Sequence, residues 1–253
     1  MSKRDLQKES AGSVDLRRMT EARVLLGRFG AGLPTRAAQS FLLDHARARQ
    51  AVWSAVDWAS LRANLADLGL RTIDVESEAS DRGAYIRRPD LGRKLSPQSV
   101  ERLASIPPDY DVVIVVGDGL SASATDVNAG PLVRALVEGL SSRRFTIAPL
   151  VLASRARVAL GDPVAEIICA RVSIVLIGER PGLSAADSLG IYITYSPRSG
   201  TPDSRRNCIS NVRDGGLRIG SAADAAISLV SDMLKTGISG IGLKDAVARL
   251  PSR

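Results

Sequence analysis

Short aliphatic runs, each delivered into a glycine-rich or small-residue stretch, constrain this chain most. Residues 111–116 (DVVIVV), 145–152 (FTIAPLVL), 172–177 (VSIVLI) and 191–196 (IYITYS) read as strands. Runs of this kind suit a buried parallel sheet, whose strands are covered on both faces. Aromatic residues are only 4% of the chain, so the core must rely on Val, Ile, Leu and Ala. Helical segments fall between the runs. Ser96-Pro97 opens a helix that reaches about Ile106 and is stopped by Pro107-Pro108. Pro131 opens PLVRALVEGL (131–140), and Gly161-Asp162-Pro163 caps a helix over 163–170. Ser221 and Asp224 form a cap pair for a helix that runs to Lys235. Strands alternating with helices predict an α/β fold, a Rossmann-like open and mainly parallel sheet over residues 96–253.

The first part of the chain has a different texture. Residues 1–14 are polar and read as an extended or disordered tail. Residues 15–95 read as a smaller helical N-terminal domain. Its helix is marked by Phe41, Leu42, Ala46, Val52, Trp53 and Val56 at three- and four-residue spacing, with a start near Pro34-Thr35. Within it, RTIDVESEASDRGAYIRRPDLGRKL is charged and irregular, with room for short strands and with Gly83, Pro89 and Gly92 as breakers.

Composition narrows the function classes. The polar start lacks the apolar centre of a secretory signal, and no apolar run approaches a bilayer span. Two cysteines, Cys169 and Cys208, make no disulfide framework and show no metal-ligand spacing, which fits a reducing cytoplasm. A net charge of +7, from 34 Lys+Arg and 27 Asp+Glu, raises a nucleic-acid reading. The basic residues are scattered, however, and no aromatic platform is interleaved with them.

In open α/β sheets ligands bind beyond the carboxyl ends of the strands. Strand 111–116 runs into GDGLSASAT, strand 172–177 into GERPGLSAADS and strand 191–196 into SPRSGTPDS, so three loops are expected at one sheet edge. Gly117, Gly119 and Ala122 match a dinucleotide fingerprint, which keeps a nicotinamide-dependent oxidoreductase as the alternative reading. Against it, strand 145–152 ends in Ala153-Ser154-Arg155 without the acidic residue that holds a ribose. Asn128-Ala129-Gly130-Pro131 also interrupts the helix the fingerprint should open. Asp118 reads either as a catalytic carboxylate or as a turn residue bonding its own backbone. Glu179-Arg180 directly follow a buried strand and must face solvent, a ligand or each other. Cys208 taken singly is a small buried hydrophobe, and Cys169 reads as core. His45, the single histidine, reads as structural and builds no metal site or nucleophilic triad by itself.

Several runs carry a resemblance. LPTRAAQSFLLDHARARQAV, YIRRPDLGRKL, VIVVGDGLSASAT, RVALGD, LIGERPGL, YSPR and RNCISNVRDGG, from Leu33 to Gly216, resemble the small subunits of ethanolamine ammonia-lyase in the same order. The resemblance implies a lyase that converts ethanolamine to acetaldehyde and ammonia by radical rearrangement, with adenosylcobalamin as cofactor. It implies a large (β/α)8-barrel partner that holds the substrate, a higher-order assembly of both subunits, and a small subunit inactive by itself. It further implies that Val158 in RVALGD, Glu179 in IGERPGL and Cys208 in NCISN contact the cofactor, with no catalytic residue and no metal ligand in this chain. Such a complex is cytoplasmic, free or inside a bacterial microcompartment. Some members carry a longer N-terminal extension than this chain does.

Overall fold

The computed structural model describes Arg23, Val24, Leu26 and residues 30–249. The expected tail, 1–14, and the start of the helical segment, 15–22, lie outside the described residues. Among the described residues eight helices and six strands follow one another as α1 (Thr35–Trp53), α2 (Trp58–Asn64), β1 (Thr72–Glu76), α3 (Arg82–Arg87), α4 (Pro97–Ala104), β2 (Tyr110–Gly117), α5 (Ala122–Ser142), β3 (Leu150–Ser154), α6 (Gly161–Ile168), β4 (Ala170–Gly178), β5 (Leu189–Tyr195), β6 (Arg206–Val212), α7 (Ile219–Thr236) and α8 (Leu243–Ala248).

All six strands form one sheet in the order β1-β3-β2-β4-β5-β6. β1, β3, β2 and β4 are parallel, whereas β5 and β6 are antiparallel additions on one side, so the sheet is mixed. One face buries Ile114, Val116, Ile174 and Ile191 under Leu132 and Leu136 of α5 and Val230 and Met233 of α7. The other buries Val113, Val115, Val151 and Val175 under Leu103 of α4 and Val164 and Ile168 of α6. Aliphatic side chains therefore point both ways from β2 and β4, which is why these strands read as unbroken apolar runs.

Several expectations are corrected. β1, inside the irregular segment, is the edge strand of the main sheet and pairs with β3 from Thr72 to Glu76. The run 145–152 is extended only in part: β3 starts at Leu150, after Pro149, which has no N–H to give a ladder. α5 does not open at Pro131. It starts at Ala122 and runs through that proline. The carbonyl that loses its helical partner is that of Val127, whose residue is 60% exposed, so water can satisfy it. Asn128 braces the same turn, its amide donating to Ala124 O at 3.2 Å and to Asp187 O at 2.8 Å. Ser221 lies inside α7, whose N-cap is Arg218 without a side-chain cap. Cys169 is not core: it is exposed and ends α6 in the left-handed conformation, φ 56°.

α1 begins at Thr35 as expected, but its apolar face is largely in solvent. Phe41 is 43% exposed, Leu42 63% and Trp53 56%, while Val56 beyond its end is buried. His45 is exposed on this helix and stacks on Phe41 at 6.1 Å between ring centroids. A buried ion pair joins α6 to β6. Arg206 donates to Asp162 through Nη1 at 2.6 Å and Nη2 at 2.7 Å, with the two side chains only 4% and 2% exposed.

Candidate functional site

β2, β3 and β4 end level, with Gly117 opposite both Ala153 and Ile177. From Gly117 the chain turns through Asp118, Gly119 and Leu120 into Ser121. The Ser121 hydroxyl caps α5 by accepting from Ala124 N–H at 3.1 Å and donates to Ala186 O at 2.6 Å. Gly119 has φ +54°, and a Cβ on it would lie 2.1 Å from Gly178 O. A Cβ on Gly178 would lie 2.0 Å from Ser121 O. Leu120 N–H donates to Gly178 O at 2.9 Å, so the turns after β2 and β4 are laced backbone to backbone, as only glycine permits.

Beside this lacing opens a cavity of about 470 Å³, bounded by Tyr85, Gly119, Arg157, Val158, Glu179 and Tyr192, among others. Two of the three expected cofactor contacts, Val158 and Glu179, thus share one cavity. Val158 opens a short 3-10 turn, 158–160, after β3 and is partly buried. Glu179 is held by Oε2, which accepts from the Ser188 hydroxyl and, at 3.2 Å, from Asn211 N–H. Neither bond uses Oε1. The third, Cys208, is not among the residues lining the cavity. It lies on β6 directly opposite the cavity residue Tyr192 and is exposed, contrary to its reading as a buried hydrophobe. Partial withdrawal from water raises its thiol above the usual range despite a hydrogen bond with Tyr192, and the Glu179 charge adds to the rise.

The floor is built around Tyr85, which is fully buried. Its hydroxyl donates to Ala156 O at 2.9 Å. Two guanidiniums stack on its ring, Arg157 at 4.3 Å and Arg82 at 4.8 Å from the centroid. Burial pushes the phenol up, and the Asp118 charge adds to it. Asp118 accepts from Ala156 N–H at 2.9 Å and pairs with Arg82 at 3.1 Å. Burial raises its carboxyl, and Arg82 opposes the rise. Asp118 therefore ties the β2 end to the β3 end and to α3, rather than projecting as a free catalytic carboxylate. Tyr85, Arg157 and Tyr192 were not singled out by sequence, although Tyr85 and Arg157 stand at the head of YIRRPDLGRKL and RVALGD. A buried tyrosine within a charged stretch of an aromatic-poor chain was the available signal.

The third expected loop is elsewhere. Because β5 is antiparallel, SPRSGTPDS leaves at the amino edge of β4, where Ser196 N–H donates to Arg171 O at 2.7 Å. The carboxyl edge instead receives the start of β5 and the end of β6, where Leu189 pairs with Val212. The dinucleotide reading is unsupported. α5 does follow the fingerprint directly, but the Leu120 N–H beyond Gly119 is already used by Gly178 O, and β3 is followed by Arg155, which pairs with Glu76. Among the described residues no group of three or more His, Cys, Asp and Glu could hold a metal ion, and no helix is long and apolar enough to cross a membrane.

Fold and site together define an α/β protein with an open, glycine-edged cleft at the carboxyl ends of its parallel strands. A family model described as the ethanolamine ammonia-lyase light chain matches residues 11–244. The ethanolamine ammonia-lyase small subunit of Rhodopseudomonas palustris (strain BisA53) is 48% identical over 232 residues, covering 91% of this chain and 89% of its own. That of Bradyrhizobium diazoefficiens is 48% identical over 244 residues, 95% of this chain and 94% of its own. That of Pseudomonas syringae pv. tomato is 45% identical over 236 residues, 92% and 82% respectively. The chain belongs to the ethanolamine ammonia-lyase light-chain family.

Proposed function

We propose that this chain is the small subunit of an adenosylcobalamin-dependent ethanolamine ammonia-lyase, and that its cavity holds one side of the cofactor against a large (β/α)8-barrel subunit. The observation that carries the reading is the meeting of Val158 and Glu179 in one cavity at the carboxyl ends of the parallel strands β2 and β4. The residues present fit a corrinoid. Its perimeter alternates carboxamides with methyl groups, and the cavity offers the carboxylate of Glu179 as acceptor, the guanidinium of Arg157 as donor and apolar surface from Val158 and Tyr192. A cavity of about 470 Å³ is too small to enclose the whole cofactor, which suits a site completed by another polypeptide.

When bound, the cofactor supplies the radical chemistry that rearranges ethanolamine to acetaldehyde and ammonia. This chain's part is to bind, orient and exclude water. Glu179, pinned by Ser188 and Asn211 N–H, keeps Oε1 for a carboxamide N–H. Val158 and Tyr192 shield that contact, and Cys208 extends the surface along β6 through its pairing with Tyr192. Substrate chemistry falls to the large subunit, in a higher-order assembly in the cytoplasm, free or within a microcompartment.

The test is a cobalamin titration of the two-subunit complex. Glu179→Ala should weaken binding by about 1–3 kcal/mol, the cost of a buried amide losing its acceptor. An unaltered titration rejects the assignment. Ethanolamine-dependent acetaldehyde release that is unchanged when this chain is left out rejects the wider reading.

A further inference from the structure

We propose that Arg157 holds the ligand of this cavity directly, its guanidinium donating to an acceptor oxygen on the ligand's periphery. The proposal rests on the corrinoid reading above. Arg157 forms part of the cavity wall and is fixed before any ligand arrives. Its N–H donates to Gly92 O at 2.8 Å, its Nη2 donates to Tyr85 O at 3.2 Å, and a Cβ on Gly92 would lie 2.9 Å from its Cγ. The two arginines on Tyr85 are not equivalent. Arg82 is neutralised by Asp118 and also donates to Val52 O at 2.6 Å. Arg157 makes no ion pair among the described residues; its enclosed Nε has no acceptor, but neither has the enclosed Nη2 of Arg82, so the missing counter-charge is what sets Arg157 apart. Charges drawn out of water are normally paired, and Arg157 has no carboxylate of its own. A preorganised, uncompensated guanidinium in a cavity wall selects a ligand oxygen that is anionic or strongly polarised.

A cobalamin offers two such oxygens, a carboxamide carbonyl on the ring and the phosphodiester of the nucleotide tail. The experiment uses the two-subunit complex, equilibrium dialysis and two probes: cyanocobalamin, and dicyanocobinamide, which lacks the tail. Arg157→Gln should raise the Kd for cyanocobalamin roughly 10- to 100-fold. A loss shared by both probes assigns the carbonyl, and a loss confined to cyanocobalamin assigns the phosphodiester; either supports the proposal. Full affinity for cyanocobalamin in Arg157→Gln, alongside weakened binding in Glu179→Ala, overturns the role of Arg157 and leaves the cavity reading standing. Full affinity in both variants overturns both. If Arg157→Gln does not assemble, Arg157→Met, which keeps the stem over Tyr85, is judged by the same outcomes.

Discussion

The ion pair between Arg206 and Asp162 gives the sharpest stability prediction. Arg206→Met keeps the stem but removes donors to both Asp162 oxygens, to Thr201 O at 2.7 Å and to Thr194 Oγ1 at 3.3 Å. Asp162 is then left as a buried carboxylate without its cation. Removing one partner of such a pair costs about 3–5 kcal/mol. With a urea slope of about 3 kcal/mol/M for a chain this long, the unfolding midpoint should fall by about 1–2 M. Adding Asp162→Leu removes the stranded charge and should restore most of the loss. The loss should also depend on pH. Burial already raises the Asp162 carboxyl above its ordinary 3.8 despite Arg206, so without Arg206 the folded state favours the protonated form still more. A raised carboxyl destabilises the fold only once it ionises, so the deficit of Arg206→Met should shrink as pH is lowered towards 4 and grow as pH rises. Urea unfolding followed by circular dichroism at two pH values reads both effects. A midpoint unchanged in Arg206→Met, or a double variant weaker than the single one, would refute the reasoning.

Three further outcomes are expected. Tyr85→Phe keeps the ring between its two guanidiniums but strands Ala156 O, and should cost about 1–2 kcal/mol in thermal or urea unfolding. Gly119→Ala must tolerate φ +54° and a Cβ 2.1 Å from Gly178 O, so stability should fall by more than about 1 kcal/mol and corrinoid affinity should fall with it as Glu179 shifts; undiminished affinity in a stable variant contradicts the lacing of the two turns. Glu166 holds the 196–201 loop by accepting from Ser199 N–H and hydroxyl, both at 2.9 Å, and the N–H bond above all depresses its carboxyl below the ordinary 4.5. That support is complete above 4.5 and is lost as pH falls through the depressed value, so amide protection at Ser199 should drop there in the native chain and show no such step in Glu166→Gln.

Much of the architecture was legible because β2 and β4 are buried on both faces and leave unmistakable aliphatic runs. β1 was legible only as room for a short strand, and its place in the main sheet was not, because an edge strand alternates Ile73 and Val75 with Asp74 and Glu76 and looks like charged irregular chain. The start of α5 was hidden by Pro131, whose usual meaning is set aside where the freed carbonyl meets water. Strand direction was the costliest omission, since it misplaced SPRSGTPDS. The signal existed: residues 179–188 contain no helix, and a parallel return normally needs a crossover of about a dozen residues or more. At the site, Val158 and Glu179 came from family resemblance and were found together. Tyr85 and Arg157 were missed because their roles depend on Ala156, Gly92 and Asp118, all distant from Tyr85 or Arg157 in sequence or on another element.

The ring of Tyr85 gathers stretches of chain that are far apart in sequence: its hydroxyl alone reaches a carbonyl 71 residues away. Closing so wide a loop costs chain entropy that the packing around the ring must offset. A ligand that bound only the assembled corner would, by mass action, stabilise all the stretches of chain that meet there.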